Sequence, residues 1–202
     1  MVFLVMVFLI MVFLITGIGR DFDIGGKNNC LPISGSEPRW EPKEWNNKYN
    51  EYFHNCYEYV LNKKDVHDIM SCKLRDNVSD DNLLEICDDI IKKSKLQPGN
   101  NVKPLCNEYN NIIQRELNAI NTTALSKCPP NTSKIGLAIA KDKDYHFYRQ
   151  DSNGLWSHKP GLESVTNKDS NNKLITDPSK AGRSYPNISY NRWCGWWCIP
   201  RK

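Results

Sequence analysis

Eight cysteines constrain this chain more than any other feature. They are Cys30, Cys56, Cys72, Cys87, Cys106, Cys128, Cys194 and Cys198, and all of them follow an apolar run at residues 1–19 that carries no charge. Such a run belongs in a membrane or a translocon and not in a soluble core. With the small residues Gly17 and Gly19 just before Arg20, it predicts a cleaved signal peptide; the alternative is a retained anchor crossing a tilted or thinned bilayer. An even cysteine count behind an export signal reads as up to four disulfides. No Cys-x-x-Cys pair occurs, which argues against a zinc ribbon or a thioredoxin-like redox motif. Sequons at Asn77, Asn121, Asn131 and Asn187 agree with export, although about two would arise by chance in a chain this rich in asparagine. The expected location is therefore the secretory pathway, with the protein either released or held to a membrane by residues 1–19.

With 202 residues, 40% apolar and 25% charged, the chain can bury one ordinary core once its leader is set aside. The formal net charge of +4 is spread out, and no basic run exceeds Lys92-Lys93-Ser94-Lys95. A nucleic-acid partner is accordingly not expected. The chain divides into the leader at 1–19, an irregular arm at 20–41 rich in Gly, Pro, Ser and Asn, and a single α+β domain at 42–202. In that domain a helical part, 42–125, precedes a sheet part, 134–200.

Pro42 suits the first turn of a helix, and Trp45, Tyr49, Tyr52, Phe53, Cys56, Tyr59 and Val60 recur at spacings of three and four. One reading is a continuous helix packed on the core, with Cys56 buried or in a disulfide. Another starts from Asn55 and Glu58, a capping pair that would begin a helix at Cys56. A thiol there faces unsatisfied N–H groups and the positive end of the dipole, which is how a cysteine nucleophile is presented. Two further helices are expected, Asp80–Lys95 capped by Ser79, and one from Pro104 to about Ile120. The acidic run around Asp80, Asp88 and Asp89 lacks the glycine and spacing of a metal loop, so no metal or cofactor is expected.

After Cys128 the period changes to two. Ile135, Leu137 and Ile139 alternate with Gly136, Ala138 and Ala140, a strand with one bulky face and one small face suited to close packing against a helix. The stretch Asp144–Gly161, DYHFYRQDSNGLWSHKPG, then reads as a hairpin whose turn is Asp151 to Gly154. Its register decides where two histidines go. Pairing Gln150 with Leu155 sets His146 and His158 on opposite faces, whereas a bulge at Gly154 brings both to one side. In the last segment, Tyr190 to Pro200, an extended chain places Cys194 and Cys198 about 13 Å apart at roughly 3.3 Å per residue, so they must seek partners elsewhere.

The hairpin, the following Val165-Thr166-Asn167, Asp169, Ile175 and Asp177-Pro178, and the earlier Asn55-Cys56-Tyr57 resemble a family of small, largely uncharacterised proteins. These combine an Asn-Cys-Tyr element, a His-bearing hairpin and a cysteine-containing tail. A helix-borne cysteine followed by a strand-borne histidine also resembles the layout of papain-like and NlpC/P60-like cysteine hydrolases. That resemblance implies helices on a small, mainly antiparallel sheet, packed as two layers. It further implies a peptidase or amidase acting on a peptide, protein or amide substrate, with Cys56 as nucleophile, His146 as base and His158 or Asp144 orienting the ring. The competing expectation is a disulfide-stabilised, non-enzymatic binding protein. In it Tyr145, Phe147, Tyr148, Trp156 and the C-terminal tryptophans form a recognition surface, and both histidines are structural.

Overall fold

The computed structural model describes residues 30–64, 105–141 and 143–201. The apolar leader, residues 20–29 of the irregular arm, the helix expected at Asp80–Lys95, and both Cys72 and Cys87 lie outside the described residues. The fold is α+β: short helices packed on a five-stranded sheet in which every pair is antiparallel.

The apolar stripe that could have made one helix is instead broken into three: α1 Pro42–Trp45, α2 Lys48–Phe53 and α3 Cys56–Leu61. Pro42 opens the first, as its fixed φ and missing N–H favour. The last begins afresh at Cys56 because Asn55 and Glu58 cap it reciprocally. Asn55 Oδ1 accepts from the Tyr57 amide at 2.7 Å, and Glu58 Oε2 accepts from the Asn55 amide at 2.8 Å. A fourth helix, α4, runs over Cys106–Leu117 and stops short of Ile120, because Asn118 turns left-handed at φ 49°.

The strands are β1 Ile120–Thr122, β2 Thr132–Ala140, β3 Asp144–Gln150, β4 Trp156–Ser157 and β5 Arg192–Pro200, arranged in the order β1-β5-β2-β3-β4. The bulky face of β2, Ile135, Leu137 and Ile139, meets Phe147, Trp197 and Ile199 of its neighbours and is covered by Val60 of α3 and Ile113 of α4. The small face departs from expectation, since no helix among the described residues packs there. Gly136, Ala138 and Ala140 instead make room for rings: Tyr148, Trp156, Tyr190 and Trp196 fill that side with Leu31 and Ile175. A Cβ at Gly136 would stand 2.4 Å from the Trp193 ring, so the glycine is what lets that indole approach the strand so closely.

Cys194 and Cys198 do find partners elsewhere, in Cys106 and Cys128 respectively. The β2–β5 register shifts between Leu137 and Ala138, leaving Cys194 unpaired in the ladder beside Gly195 at φ 144°. This bulge turns Cys194 toward the helix face, where α4 supplies Cys106. Cys198 lies between Trp197 and Ile199, which face the helices, so it faces the opposite layer. The two bridges thus pin β5 from both sides. Cys30 and Cys56 are free thiols, so the described cysteines are not all in disulfides.

Much of the chain between β4 and β5 is irregular, and buried cations hold it and the other loops in place. Lys134 Nζ donates to the carbonyls of Ala124 and Ser126 at 2.8 and 2.6 Å. Lys159 Nζ donates to those of Glu51, Gly161 and Glu163 at 2.8, 3.0 and 2.7 Å. Both lysines are fully buried, where an ammonium is tolerated only when its donors are satisfied. Among the described residues no helix is long and apolar enough to cross a membrane.

Candidate functional site

The capping box delivers the thiol to the place expected of a nucleophile, the first residue of α3, but the packing there is that of a core. Cys56 is buried in one cluster with Val60, Ile113, Leu137 and Phe147. Burial raises its pKa far above the ordinary thiol value, with the Asp144 and Glu58 carboxylates adding to the rise and a hydrogen bond with the Phe147 backbone only partly opposing it. A six-residue helix start does not overcome that desolvation. The sulfur stays a thiol at neutral pH, and thiols are poor nucleophiles. Iodoacetamide should therefore modify Cys56 of the folded protein at least about tenfold more slowly than free cysteine, with full labelling only after denaturation. Peptide mapping after timed quenching checks this.

The hairpin takes the second of its two registers. Gln150 pairs with Trp156 and Arg149 with Ser157, so the connection is five residues long, with Gly154 at φ 81°. His158 then falls opposite Tyr148 and on the same face as His146. The imidazoles meet at right angles, His146 Nε2 lying 2.7 Å from His158 Nδ1, while His158 Nε2 lies 3.0 Å from the Lys168 carbonyl. A carbonyl can only accept, so His158 carries its proton on Nε2 and receives one from His146 through Nδ1. Both rings are buried, at 3% and 1% exposure.

This face is not the one that holds Cys56. Ala138, the register partner of His146, belongs to the ring-filled layer, and His146 packs against Tyr148 and Tyr190 there. The sheet itself stands between thiol and imidazole. Asp144 does not orient His146 either: its Oδ1 accepts from the Tyr145 amide at 2.8 Å and its Oδ2 from the Tyr190 hydroxyl at 2.6 Å. Of the four residues proposed for a hydrolase site, only His146 and His158 touch, and they are neutral partners with no ring nitrogen of His158 to spare.

Their burial has a measurable consequence. Desolvation pushes the His158 pKa down to about 4, the Lys168 carbonyl and Asp169 carboxylate opposing it only in part, and holds His146 well below its usual value, with His158 lowering it further. Unfolded, both rings titrate near 6.5, so below that pH the unfolded state binds protons that the folded state refuses. Stability is fully present above about pH 7 and falls as pH drops through 6 toward 4, by about 3 kcal/mol from His158 alone. Denaturant midpoints measured across that range should show the slope, and histidine ring NMR shifts of both residues should stay flat from pH 7 to about 5, with His158 moving only as pH nears 4.

The residues that organise this region escape inspection of the sequence. Arg149 and Asp151 are both fully buried, with Nε donating to Oδ1 at 2.9 Å. The remaining Arg149 nitrogens reach the Tyr59 carbonyl, Asn62 Oδ1 and the Arg39 carbonyl, each at 3.1 Å, and its guanidinium stacks 3.9 Å from the Tyr59 ring. Beside the histidines a cleft of about 690 Å³ is lined by Glu51, His158, Glu163, Thr166, Asp169 and Tyr185 among others. Among the described residues no group of three or more His, Cys, Asp or Glu is placed to hold a metal ion.

Most of the aromatic surface expected of a binding protein is likewise turned inward, with Tyr145 and Trp193 only partly buried. Phe147, Tyr148, Trp156 and Trp197 are each at most 2% exposed, because the loops following β4 and the helices close over opposite faces of the sheet.

The chain matches no protein-family profile and no solved structure. Over 62 residues it is 42% identical to the insoluble matrix shell protein 1 of Ruditapes philippinarum. That match covers 31% of this chain and 39% of the shell protein, so the chain spans about two-fifths of the length of the curated relative it matches.

Proposed function

We propose that this chain is a secreted, disulfide-stapled structural protein of an extracellular matrix, without hydrolase activity. The observation that carries the reading is the placement of the Asp144–Gly161 stretch. Its histidines, aromatics and Arg149 are the interior of the fold, bonded to one another and to loop carbonyls, and the nearby thiol is buried on the far side of the sheet. A motif used this way specifies a shape.

Two lines support the rest. Two disulfides in one small unit are those of a chain that folds in an oxidising compartment. The segment it shares with a protein described as an insoluble shell-matrix component fits a scaffold role better than a catalytic one. With the aromatics inside, contacts with a matrix would be made by the polar loop face around the cleft of Glu51, Glu163 and Asp169.

The test is expression of the full chain in secreting eukaryotic cells, followed by separation of medium from insoluble extracellular material and treatment of the native protein with an epoxysuccinyl thiol probe. The expected result is disulfide-bonded protein outside the cell and no adduct on Cys56. An adduct on Cys56 in the folded protein, or amide hydrolysis lost in Cys56→Ala, overturns the reading.

A further inference from the structure

We infer that Asn121, Asn131 and Asn187 carry N-linked glycans, and that the one on Asn121 shields the open edge of the sheet. The inference rests on the secretory reading above and extends it to particular atoms. Three of the four sequons fall in described residues, and in each the asparagine is exposed. Their contexts differ. Asn121 is the middle residue of β1; Asn131 precedes β2 with its backbone left-handed at φ 59°; Asn187 sits with Pro186 at the tip of a tight turn closed by Tyr185 and Ile188.

Asparagine is abundant here, and many of its side chains are engaged by the fold. Asn46 and Asn55 accept from backbone amides, Asn50 donates to the Glu44 carbonyl, and Asn62 and Asn110 accept from Arg149 and Trp197. None of the three sequon side chains makes such a bond among the described residues, so each Nδ2 is free to be substituted without loss to the fold. The chemistry needs nothing further from this chain. A host transferase joins Nδ2 to the anomeric carbon of a lipid-pyrophosphate oligosaccharide: the C–N bond forms as the C–O bond to pyrophosphate breaks, and the amide proton leaves with the pyrophosphate.

The edge argument concerns only Asn121. One edge of the sheet, β4, is covered by bridges from Trp156 to Ile175 and from His158 to Thr166. The other, β1, pairs with β5 on its inner side and has no strand or bridge on its outer side among the described residues. Ile120 on that strand is 55% exposed. Uncovered edges with apolar side chains recruit further strands, and proteins block them with bulk or charge. A branched oligosaccharide on the central residue of a three-residue edge supplies that bulk.

The experiment uses the full chain secreted from eukaryotic cells, digested with peptide-N-glycosidase in heavy-oxygen water and mapped by mass spectrometry. Conversion of Asn121, Asn131 and Asn187 to labelled aspartate is the expected result. Secreted, disulfide-bonded protein with all three unmodified overturns the glycan assignment while leaving the secretory reading intact. Reduced protein retained in the cytosol overturns both. For the edge, sedimentation should show Asn121→Gln, and wild type after enzymatic deglycosylation in the folded state, associating to at least twice the mass of the glycosylated protein. Asn187→Gln should remain at the wild-type mass. Monomeric behaviour of both Asn121 samples overturns the shielding role.

Discussion

Replacing Cys106 and Cys128 together with serine should leave a chain that no longer folds at about 37 °C, the largest single effect expected in this molecule. The bridges close segments of 88 and 70 residues, and loop-closure entropy assigns each about 4 to 5 kcal/mol taken alone. The segments overlap from Cys128 to Cys194, so once either bridge is present the other closes a shorter path. Each single variant should therefore lose only about 3 kcal/mol, and the double variant more than the sum of the singles. Folded domains have about 5 to 15 kcal/mol in hand, which is why the second loss exceeds what remains. Urea denaturation of the two singles and circular dichroism of the double variant check this. A double variant with a cooperative transition near that of wild type would falsify the assignment.

The second large effect is expected at Arg149. Arg149→Met keeps roughly the volume of the stem but strands the Asp151 carboxylate in the interior and removes the donors to Arg39, Tyr59 and Asn62, at a cost of about 3 to 5 kcal/mol. Burial already raises the Asp151 pKa against the pull of Arg149. Without the guanidinium it rises further, so in the variant the folded state holds a proton on Asp151 that the unfolded state releases. The destabilisation of Arg149→Met relative to the parent must then grow as pH rises from about 4 to 7, opposite in sign to the histidine effect that both proteins share. Arg149→Met with Asp151→Leu should recover part of the loss, because removing both partners is cheaper than removing one. Thermal melts at two pH values for the three variants test the claim, and a pH-independent loss would count against it.

Local features of the sequence were read correctly where the physics is local. Pro42 at a helix start, the Asn55 and Glu58 cap, the alternation of β2 and the turn before Trp156 each depend on residues within a few positions of one another. The thirteen-ångström argument that kept Cys194 from Cys198 is of the same kind. What the sequence left open depends on pairs far apart. Arg149 is bonded to Arg39 across 110 positions and Lys159 to Glu51 across 108, and nothing near either cation announces the partner. The hydrolase expectation turned on such a long-range fact, namely which side of a sheet a helix covers. Period-two alternation says that His146 and Phe147 face opposite ways, but not which of those sides receives Cys56. The small face of β2 misled for a related reason: glycine and alanine signal space, and rings used it where a helix was expected.

The sheet order also sets a timetable for biosynthesis. Of the described strands the latest in the chain, β5, is inserted between the first two, β1 and β2, and carries half of both described disulfides. Until Trp193 to Pro200 has emerged, β1 has no neighbour, β2 has one open flank, and Cys106 and Cys128 have no correct mate. Intermediates that lack β5 therefore expose unpaired strand edges and free thiols, and lesions in Trp193 to Pro200 should be felt as failed secretion before they are felt as lost stability.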